Sequence, residues 1–283
     1  METPPRTVLV TGASRGIGQA TAGAFLAAGW RVVAGMRRPA DATDAAGLHV
    51  VRLDVTDAAS VRDAVGAAHE IAGGPLACVV NNAGWALFGA VEDVDLDIVR
   101  RQFETNLFGA IAVIQAALPA MRRAGSGVVV GVSTLAGRFP IPLFGMYAAS
   151  KLALAAVLEA LALEHGPAGV RAVLIEAGVV RTGFAGSTVI SGSAGEQESP
   201  YAEVRAGVLG TLRGIREECG LEARQVADAI VAAVEDDGAP FRSVLADPGL
   251  AVVAPDASGD GERHADVRRL FGLAPATGAG RPR

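Results

Sequence analysis

The first thirty residues place a strand, a glycine turn and a helix in direct succession. An apolar run at 7–10 leads into Thr-Gly-Ala-Ser-Arg-Gly-Ile-Gly at 11–18, and a helical pattern at 19–28 is closed by Gly29. A helix that begins this way presents unpaired backbone N–H groups, and glycines let a ligand approach them closely. The spacing is not G-x-G-x-x-G, but its place after the first strand gives it weight. The turn predicts a pyrophosphate site made of Gly12, Ser14, Arg15, Gly16, Ile17 and Gly18.

The alternation of strand and helix patterns continues along the chain. Further strands are predicted at 31–35, 49–53, 76–80, 127–132, 170–175 and 241–246, and helices at 57–72, 96–123, 201–219 and 222–235, with another around Tyr147. Such alternation favours parallel strands covered by helices. The predicted fold is α/β: a single Rossmann-type, doubly wound domain at 1–250, whose mostly parallel sheet has helices on both faces.

Two segments are expected to lie outside this regular pattern. The Gly- and Ser-rich stretch and amphipathic helix at 183–220 are typical of a substrate lid, although a plain surface excursion is the alternative. The Gly-, Pro- and Arg-rich segment at 251–283 is expected to be a partly disordered C-terminal extension with a short helical patch around 265–271.

Composition excludes several classes of protein. Although 51% of residues are hydrophobic, charges interrupt every apolar run, so we expect no membrane span. The N-terminus lacks a basic and then apolar leader, and two distant cysteines form no pattern, so we expect a cytoplasmic protein. A net charge of −5 argues against a nucleic-acid partner. The histidines and cysteines lack ligand spacing, so no metal site is expected.

The end of the second strand indicates which dinucleotide would bind. Sites that prefer NAD place Asp or Glu there, to bond the ribose 2′-hydroxyl. This chain instead has Met36, Arg37 and Arg38, with Arg15 as a second cation in the glycine turn. Guanidinium groups suit a 2′-phosphate, so the predicted cofactor is NADP(H). The alternative is that Arg37 and Arg38 form a solvated turn.

Polar and small residues follow several other strands. Asp54 and Val55 follow the third strand, and Asn82, Ala83 and Gly84 follow the fourth. Parallel strands end at one edge of the sheet, so these residues are predicted to line the same crevice. Asp54 could equally be a solvated loop residue.

Three further polar residues lie close to this predicted edge. Asn106 interrupts the predicted helix at 96–123, where Asn is unfavourable unless it has a role or is a satisfied core amide. Ser133 and Thr134 end the fifth strand. We expect them to face the same crevice as the residues above.

The pair Tyr147 and Lys151 points to proton transfer. Lys and Arg together number 25, yet Lys151 is the only lysine, and it lies four residues after one of two tyrosines. Four residues on a helix place both side chains on one face. A nearby ammonium lowers the pKa of a phenol towards neutrality, whereas the fork of arginine suits carboxylates and phosphates better. The alternative is an accidental pairing of a surface lysine with a half-buried tyrosine.

Taken in order, these motifs resemble the short-chain dehydrogenase/reductase family over residues 6–246. The resemblance rests on the glycine turn, Asn81-Asn82-Ala83-Gly84, Asn106, the Ser133/Thr134 pair and Tyr147-x-x-x-Lys151. It implies that Tyr147 is the proton donor, that Lys151 binds the nicotinamide ribose and acidifies the phenol, and that Asn106 holds a water of the proton relay.

The resemblance also implies roles at the cofactor. Asp54 would meet the adenine, and the segment Asn82-Ala83-Gly84 would line the dinucleotide. Val180 and Thr182 would hold the carboxamide, and Arg15 with Arg37 is the pairing shown by NADP-preferring members.

The sequence departs from the family pattern at two positions. The catalytic serine of the family usually lies thirteen residues before the tyrosine, where this chain has Thr134 next to Ser133. Successive strand residues point to opposite faces, so we expect one hydroxyl to reach the substrate, and register favours Thr134. Ala177 stands where Pro is usual, which is expected to loosen the following loop.

The sequence therefore predicts an NADP-dependent oxidoreductase. It would reduce a ketone or aldehyde of a hydrophobic small molecule, or oxidise the matching alcohol, because the candidate pocket walls at 85–88 and 139–144 and in the lid are largely apolar. The resemblance implies a homodimer or homotetramer. A cyclase or epimerase on the same scaffold, or a non-catalytic NADP sensor, remain alternatives.

Overall fold

The protein is an α/β domain built on one long parallel sheet. The structure is a computed structural model that describes residues 5–39, 46–138, 141–195, 198–246 and 268–272. In chain order its strands are β1 Thr7–Thr11, β2 Arg31–Met36, β3 Leu48–Arg52, β4 Cys78–Asn81, β5 Leu87–Phe88, β6 Gly127–Thr134, β7 Val170–Ala177, β8 Val180–Arg181, β9 Val189–Ile190, β10 Leu221–Glu222 and β11 Arg242–Leu245. The main sheet has seven strands in the order β11-β7-β6-β4-β1-β2-β3, all parallel. The predicted fold class is confirmed.

Helices cover both faces of this sheet. They are α1 Gly16–Ala27, α2 Ala58–Ala72, α3 Leu96–Phe103, α4 Gly109–Ala124, α5 Gly145–His165, α6 Ala202–Glu218 and α7 Ala223–Glu235. Because strand side chains alternate, Leu9 and Val33 pack with α2, α4 and α5 on one face, while Val8 and Val32 pack with α1 and α7 on the other. A sheet buried on both faces needs nearly continuous apolar strands, and this is the pattern the sequence shows.

The order of the strands fixes where a ligand can bind. The chain builds outwards from β1 to β2 and β3, and then returns to the other side of β1 with β4. The loops after β1 and β4 therefore leave in opposite directions and open a crevice at the carboxyl edge of the sheet. The glycine turn follows β1 and Asn82 follows β4, so both lie at this crevice.

The prediction of one continuous helix at 96–123 was wrong, because the helix is interrupted. A π-helical turn, Glu104–Phe108, separates α3 from α4 and contains Asn106. Turns of this kind insert one extra residue into a helix and are frequent at functional sites. The polar side chain in mid-helix thus marks the position of the irregularity.

Two helical stretches in the described part of the chain, Leu96–Ala124 and Gly145–Ala168, are long and apolar enough to cross a membrane by length and composition alone. Val113 of the first and Leu158 of the second lie in one fully buried cluster against the sheet. Core helices of α/β domains share this composition, and packing on the sheet accounts for the buried part of these two stretches.

The segment at 183–220, predicted to be a lid, contains more regular structure than a flexible loop. It begins with a 3-10 turn, Gly183–Ser187, after which β9 pairs with β5. It ends with α6, and β10 then pairs with β8. Its function as a lid stays a prediction.

A third apolar cluster lies over the carboxyl edge of the sheet. Leu135, Phe88 and Val208 of α6 meet there, together with Phe271 from the C-terminal segment, which is 1% exposed. The expected extension at 251–283 therefore returns to the domain at 268–272, and residues 268–270 form a helical turn as the sequence predicted. The remainder of that segment lies outside the described residues.

Gly18 is expected to be required for packing between α1 and the strand ends. A Cβ at this position would lie 2.3 Å from the Gly12 carbonyl oxygen and 2.4 Å from Nδ2 of Asn82. Gly18→Ala should therefore lower the free energy of unfolding by about 2 kcal/mol or more. Gly23 of the same helix has no atom within 4 Å of its Cβ position, so Gly23→Ala should raise it by about 0.5–1 kcal/mol. Urea unfolding of both variants measures this, and equal effects would contradict the assignment.

Candidate active site

A cleft of about 1490 Å³ runs along the carboxyl edge of the sheet. It brings together nearly all residues singled out in the sequence: Gly12, Ser14, Arg15, Gly16, Ile17, Arg37, Asp54, Val55, Asn82, Ala83, Gly84, Ser133, Thr134, Tyr147, Lys151, Val180 and Thr182. Gly18 and Asn106 do not line it. These two lie behind its wall and act on residues that do.

The glycine turn after β1 is braced from the neighbouring strand. Gly12 and Gly16 have φ of +66° and +57°, a region that disfavours other residues. The side-chain amide of Asn82 donates to the carbonyl oxygens of Thr11 and Gly12, at 2.9 and 3.2 Å. The hydroxyl of Thr11 accepts from the backbone N–H groups of Asn82 and Ala83, both at 3.0 Å. Asn82 therefore holds the shape of the turn.

The start of α1 has the properties of a phosphate-binding terminus. Arg15 is the N-cap in an extended conformation, and its side chain makes no capping hydrogen bond. No acidic residue occupies the first turn. The first N–H groups of the helix are thus open to an anion in the cleft, which fits the pyrophosphate of a dinucleotide.

Two exposed guanidinium groups lie at the part of this cleft formed by the turn after β1 and the end of β2. Arg15 and Arg37 are exposed and make no hydrogen bond or ion pair within the part of the chain that the structure describes. Partial burial by itself raises the pKa of Asp54. Hydrogen bonds from Thr56 and the charges of Arg37 and Arg52 outweigh this, so the net pKa of Asp54 is lowered. The guanidinium groups of Arg15 and Arg37 fit a ribose 2′-phosphate, whose oxygens accept charge-assisted hydrogen bonds.

Asn106 connects the cofactor side of the site to the helix that carries the tyrosine. Its Oδ1 accepts from the backbone N–H of Trp85 at 3.1 Å. Its Nδ2 donates to the Trp85 carbonyl and to Oγ of Ser150, both at 3.0 Å. Ser150 in turn donates to the carbonyl of Tyr147 at 2.7 Å. The Asn106 side chain is a buried amide whose hydrogen bonds are satisfied, which is the alternative that the sequence analysis gave. It connects the segment after β4 to α5. Its predicted role in holding a water is not tested.

Lys151 is a buried cation at the floor of the cleft. Its ammonium donates to the carbonyl oxygen of Val132 at 2.9 Å, and the residue is 5% exposed. Burial lowers the pKa of Lys151 to about 8. A Cβ at Gly84 would lie 3.3 Å from this ammonium, so the glycine keeps the space above Lys151 open. Ribose hydroxyls are suitable acceptors for that space.

The expectation that the ammonium lowers the pKa of the phenol was wrong for the protein alone. Burial raises the pKa of Tyr147 to about 12, although a hydrogen-bonding interaction with Thr134 opposes the rise. Aromatic rings cover the phenol, with Phe144 at 6.3 Å and Phe184 at 6.0 Å between ring centroids. Removal from water therefore outweighs the interaction with Thr134.

Thr134 is the hydroxyl that interacts with Tyr147. Ser133 is buried and pairs in register with Glu176 of β7, whereas Thr134 pairs with Ala177 at the open end of the strand. Both residues line the cleft, but only the Thr134 hydroxyl acts on the phenol, where it lowers the pKa of Tyr147 against the effect of burial. This placement agrees with the preference drawn from register. Ala177, at the Pro position of the family, is buried and continues β7 beside Leu245.

A buried charge network lies directly behind the two hydroxyl residues. Glu176 is 2% exposed, and its two carboxylate oxygens accept from Arg138 and Arg242, each at 2.6 Å. Arg138 follows the turn that begins at Thr134, and Arg242 also reaches Glu159 of α5 at 3.5 Å. The network therefore joins β7, β11, α5 and the loop after β6. No motif in the sequence indicated it.

The substrate end of the cleft is mostly apolar. Phe88, Ile141 and Phe144, in the stretches predicted as pocket walls, line it, as do Leu209 and Leu212 of α6. Residues 139–140 of the predicted wall lie outside the described residues. Phe271 also lines this end and was missed, because composition favours disorder in the segment that contains it.

Comparison with known proteins defines the class. The profile of the short chain dehydrogenase family matches residues 6–191. A 3-ketodihydrosphingosine reductase from Bacteroides thetaiotaomicron is 35% identical over 243 residues, which cover 84% of this chain and 87% of the relative. The protein belongs to the short-chain dehydrogenase family of oxidoreductases, as its motifs predicted.

Particular relatives extend this likeness. An NADPH-dependent 3-dehydrocapnine reductase from Ornithobacterium rhinotracheale is 33% identical over 78% of this chain and 81% of its own length. A short-chain dehydrogenase from Streptomyces avermitilis superposes with a TM-score of 0.81, at 30% identity and 95% coverage of both chains. One from Burkholderia cenocepacia, in complex with NADP, gives 0.73 at 25% identity and covers 97% of this chain and 100% of its own.

Glu176 is expected to be essential for stability. Glu176→Ala leaves the guanidinium groups of Arg138 and Arg242 without their buried partner, so the free energy of unfolding should fall by about 3–5 kcal/mol. Glu159→Ala removes only the exposed end of the same network and should cost less than about 1 kcal/mol. Chemical denaturation of the two variants compares them. A loss at Glu176 no larger than that at Glu159 would show that the buried pairs contribute little.

Proposed function

We propose that the protein is an NADPH-dependent reductase of a ketone or aldehyde in a hydrophobic small molecule, and that it catalyses the reverse oxidation under suitable conditions. The observation that carries this proposal is the grouping of Tyr147, Thr134 and the buried Lys151 on one wall of the cleft. The grouping combines a proton donor, a hydroxyl that can orient a carbonyl, and a cation.

The proposed choice of NADP(H) rests on Arg15 and Arg37. Their charged ends face solvent at the cleft without an ion-pair partner among the described residues, and no acidic side chain ends β2. Relatives and neighbours that carry NADP or NADPH in their names support the choice. When bound, the dinucleotide supplies the hydride.

The residues of the chain are proposed to handle the proton. Thr134 holds the carbonyl oxygen of the substrate beside the phenol, and Tyr147 donates its proton to that oxygen as negative charge develops there. A phenol with a pKa of about 12 is fully protonated at neutral pH and can therefore donate its proton. The ammonium of Lys151 stabilises the phenolate that remains.

The proposed substrate is apolar around its carbonyl group. Phe88, Phe144 and Phe184 form the wall beside Tyr147, and Leu209 and Phe271 close the far end. Two relatives have names that describe the reduction of a 3-oxo compound, which supports the direction of reduction.

We also propose that the protein is a cytoplasmic homo-oligomer. Leu163, Phe108 and Leu152 are 78%, 51% and 49% exposed on α5 and the π-helical turn, and pairing of copies would cover them. Cys78 is a buried free thiol, which suits a reducing compartment.

Absorbance at 340 nm tests the proposed reaction directly. NADPH and a panel of apolar ketones and aldehydes are mixed with the protein, and consumption of NADPH is expected. Tyr147→Phe removes only the phenolic proton, so turnover should be lost while NADPH binding, followed by fluorescence, is kept. Binding without consumption would indicate a sensor, and isomerisation of a substrate without consumption would indicate a non-redox enzyme. Turnover retained in the variant would refute the role of Tyr147.

The two neighbouring hydroxyls are expected to differ in importance. Thr134→Val keeps the shape but removes the hydroxyl, and kcat for carbonyl reduction should fall by about 10²–10³-fold. Thr134→Ser restores the hydroxyl and should stay within a few-fold of the unaltered protein. Ser133→Ala is the matched control and should have little effect. A larger loss at Ser133 than at Thr134 would reverse the assignment.

The rate is expected to depend on the protonation of Lys151. Its pKa of about 8 places loss of the ammonium within the working range, while Tyr147, near 12, stays protonated. The value of kcat/KM for NADPH reports groups of the free enzyme, so it should fall as pH rises through about 8. Lys151→Met should lose most of the rate and this pH dependence with it. A profile that stays flat to about pH 10 would show that the ammonium is not required.

A further inference from the structure

A second, smaller cavity adjoins the main cleft at the C-terminal end of α6. Its volume is about 410 Å³, and Arg181, Arg213, Arg216 and Glu217 line it. Arg213 and Arg216 line the main cleft as well, so the two spaces share a wall. Three guanidinium groups and one carboxylate surround this space, which gives it an excess of positive charge.

Arg181 has a structural role here. Its guanidinium donates to the carbonyl oxygens of Arg216 and Glu217 and to the carboxylate of Glu222, at 2.9, 3.0 and 3.0 Å. These bonds satisfy carbonyl groups at the end of α6 and fix that end to β8. The position of Arg213 and Arg216 relative to β8 is thereby set.

Arg213 and Arg216 retain most of their donor capacity. Both are exposed, and one Nη of Arg216 donates to the Thr182 carbonyl at 3.4 Å. Arg213 makes no hydrogen bond or ion pair with any residue that the structure describes. Two like charges three residues apart on a helix repel each other, and a bound anion would relieve that repulsion.

Thr182 places this pair near the glycine turn. Its Cβ and Cγ2 lie 3.5 and 3.6 Å from the position that a Cβ of Gly16 would occupy. Thr182 therefore has the start of α1 on one side and Arg216 on the other. Thr182 thus connects the glycine turn to Arg216, and Arg213 and Arg216 line the same cleft as that turn.

We infer that Arg213 and Arg216 bind the pyrophosphate of the dinucleotide, from the side of the cleft opposite the glycine turn. The planar fork of a guanidinium matches phosphate oxygens, and two of them add charge-assisted hydrogen bonds to those of the backbone. The segment predicted to be a lid thus makes contacts with the cofactor as well as with the substrate. This inference rests on dinucleotide binding alone and not on the substrate or the direction of the reaction.

A comparison of two charge-matched double variants tests the inference. Arg213→Gln/Arg216→Gln is compared with Arg62→Gln/Arg123→Gln, whose residues are exposed on α2 and α4 and line neither cavity. Isothermal titration with NADPH and with NADH gives the dissociation constants. The first variant should bind both dinucleotides about tenfold or more weakly, because each carries a pyrophosphate, and the control should bind as the unaltered protein does. The affinity of the Arg213→Gln/Arg216→Gln variant for both dinucleotides should also depend less steeply on salt concentration than that of the unaltered protein.

A third variant separates the two ends of the dinucleotide. Arg37→Gln should weaken NADPH alone, since NADH has no 2′-phosphate. Arg213→Gln by itself breaks no hydrogen bond among the residues that the structure describes, and it should already weaken both dinucleotides. Affinities equal to those of the control would overturn the inference, as would a loss confined to NADPH or to the KM of the carbonyl substrate. An unaltered protein that binds neither dinucleotide would overturn the proposed function too.

Discussion

The buried ammonium of Lys151 is the group on which the rest of the site depends. An ammonium removed from water is unfavourable unless polar partners surround it, and the protein itself supplies one, the carbonyl of Val132 at the end of β6. Gly84 leaves the opposite side open, because a side chain there would meet both the ammonium and Asn106. Asn106 then holds the Gly84 segment against α5 through Trp85 and Ser150. The cation, the glycine and the amide form one unit, with the space above the ammonium left open towards the cleft.

Much of this arrangement follows from the sequence, because the fold is parallel. In a parallel sheet every strand delivers its last residue to the same edge, so residues distant in sequence, such as Gly12, Asn82, Thr134 and Thr182, could be assigned to one cleft. The i, i+4 spacing of Tyr147 and Lys151 required only a helix. The arginines at 37–38, in place of an acidic residue, could likewise be interpreted from the sequence, since their preference for a phosphate depends on charge and not on packing.

Other features depend on packing, which the sequence does not show. The pKa of Tyr147 is set by the rings of Phe144 and Phe184 over the phenol, and these come from different loops. The spacing of Tyr147 and Lys151 in the sequence indicated a nearby ammonium, but it did not indicate that the phenol is buried. The short pairing of β5 with β9 joins two-residue strands, which are too brief for a periodic pattern. The partners of Glu176 lie 38 and 66 residues away and obey no motif.

The two ends of the cleft come from different parts of the chain. The end with the glycine turn is built from β1, β4, β6 and the helices between them. The apolar end closes on the ring of Phe271 from the far C-terminal segment, which is held by a hydrogen bond from Thr211 to the Leu270 carbonyl and by contacts with α6. A different sequence in that tail would therefore change the shape of the apolar end, while the residues around the glycine turn, Tyr147 and Lys151 keep the contacts described above.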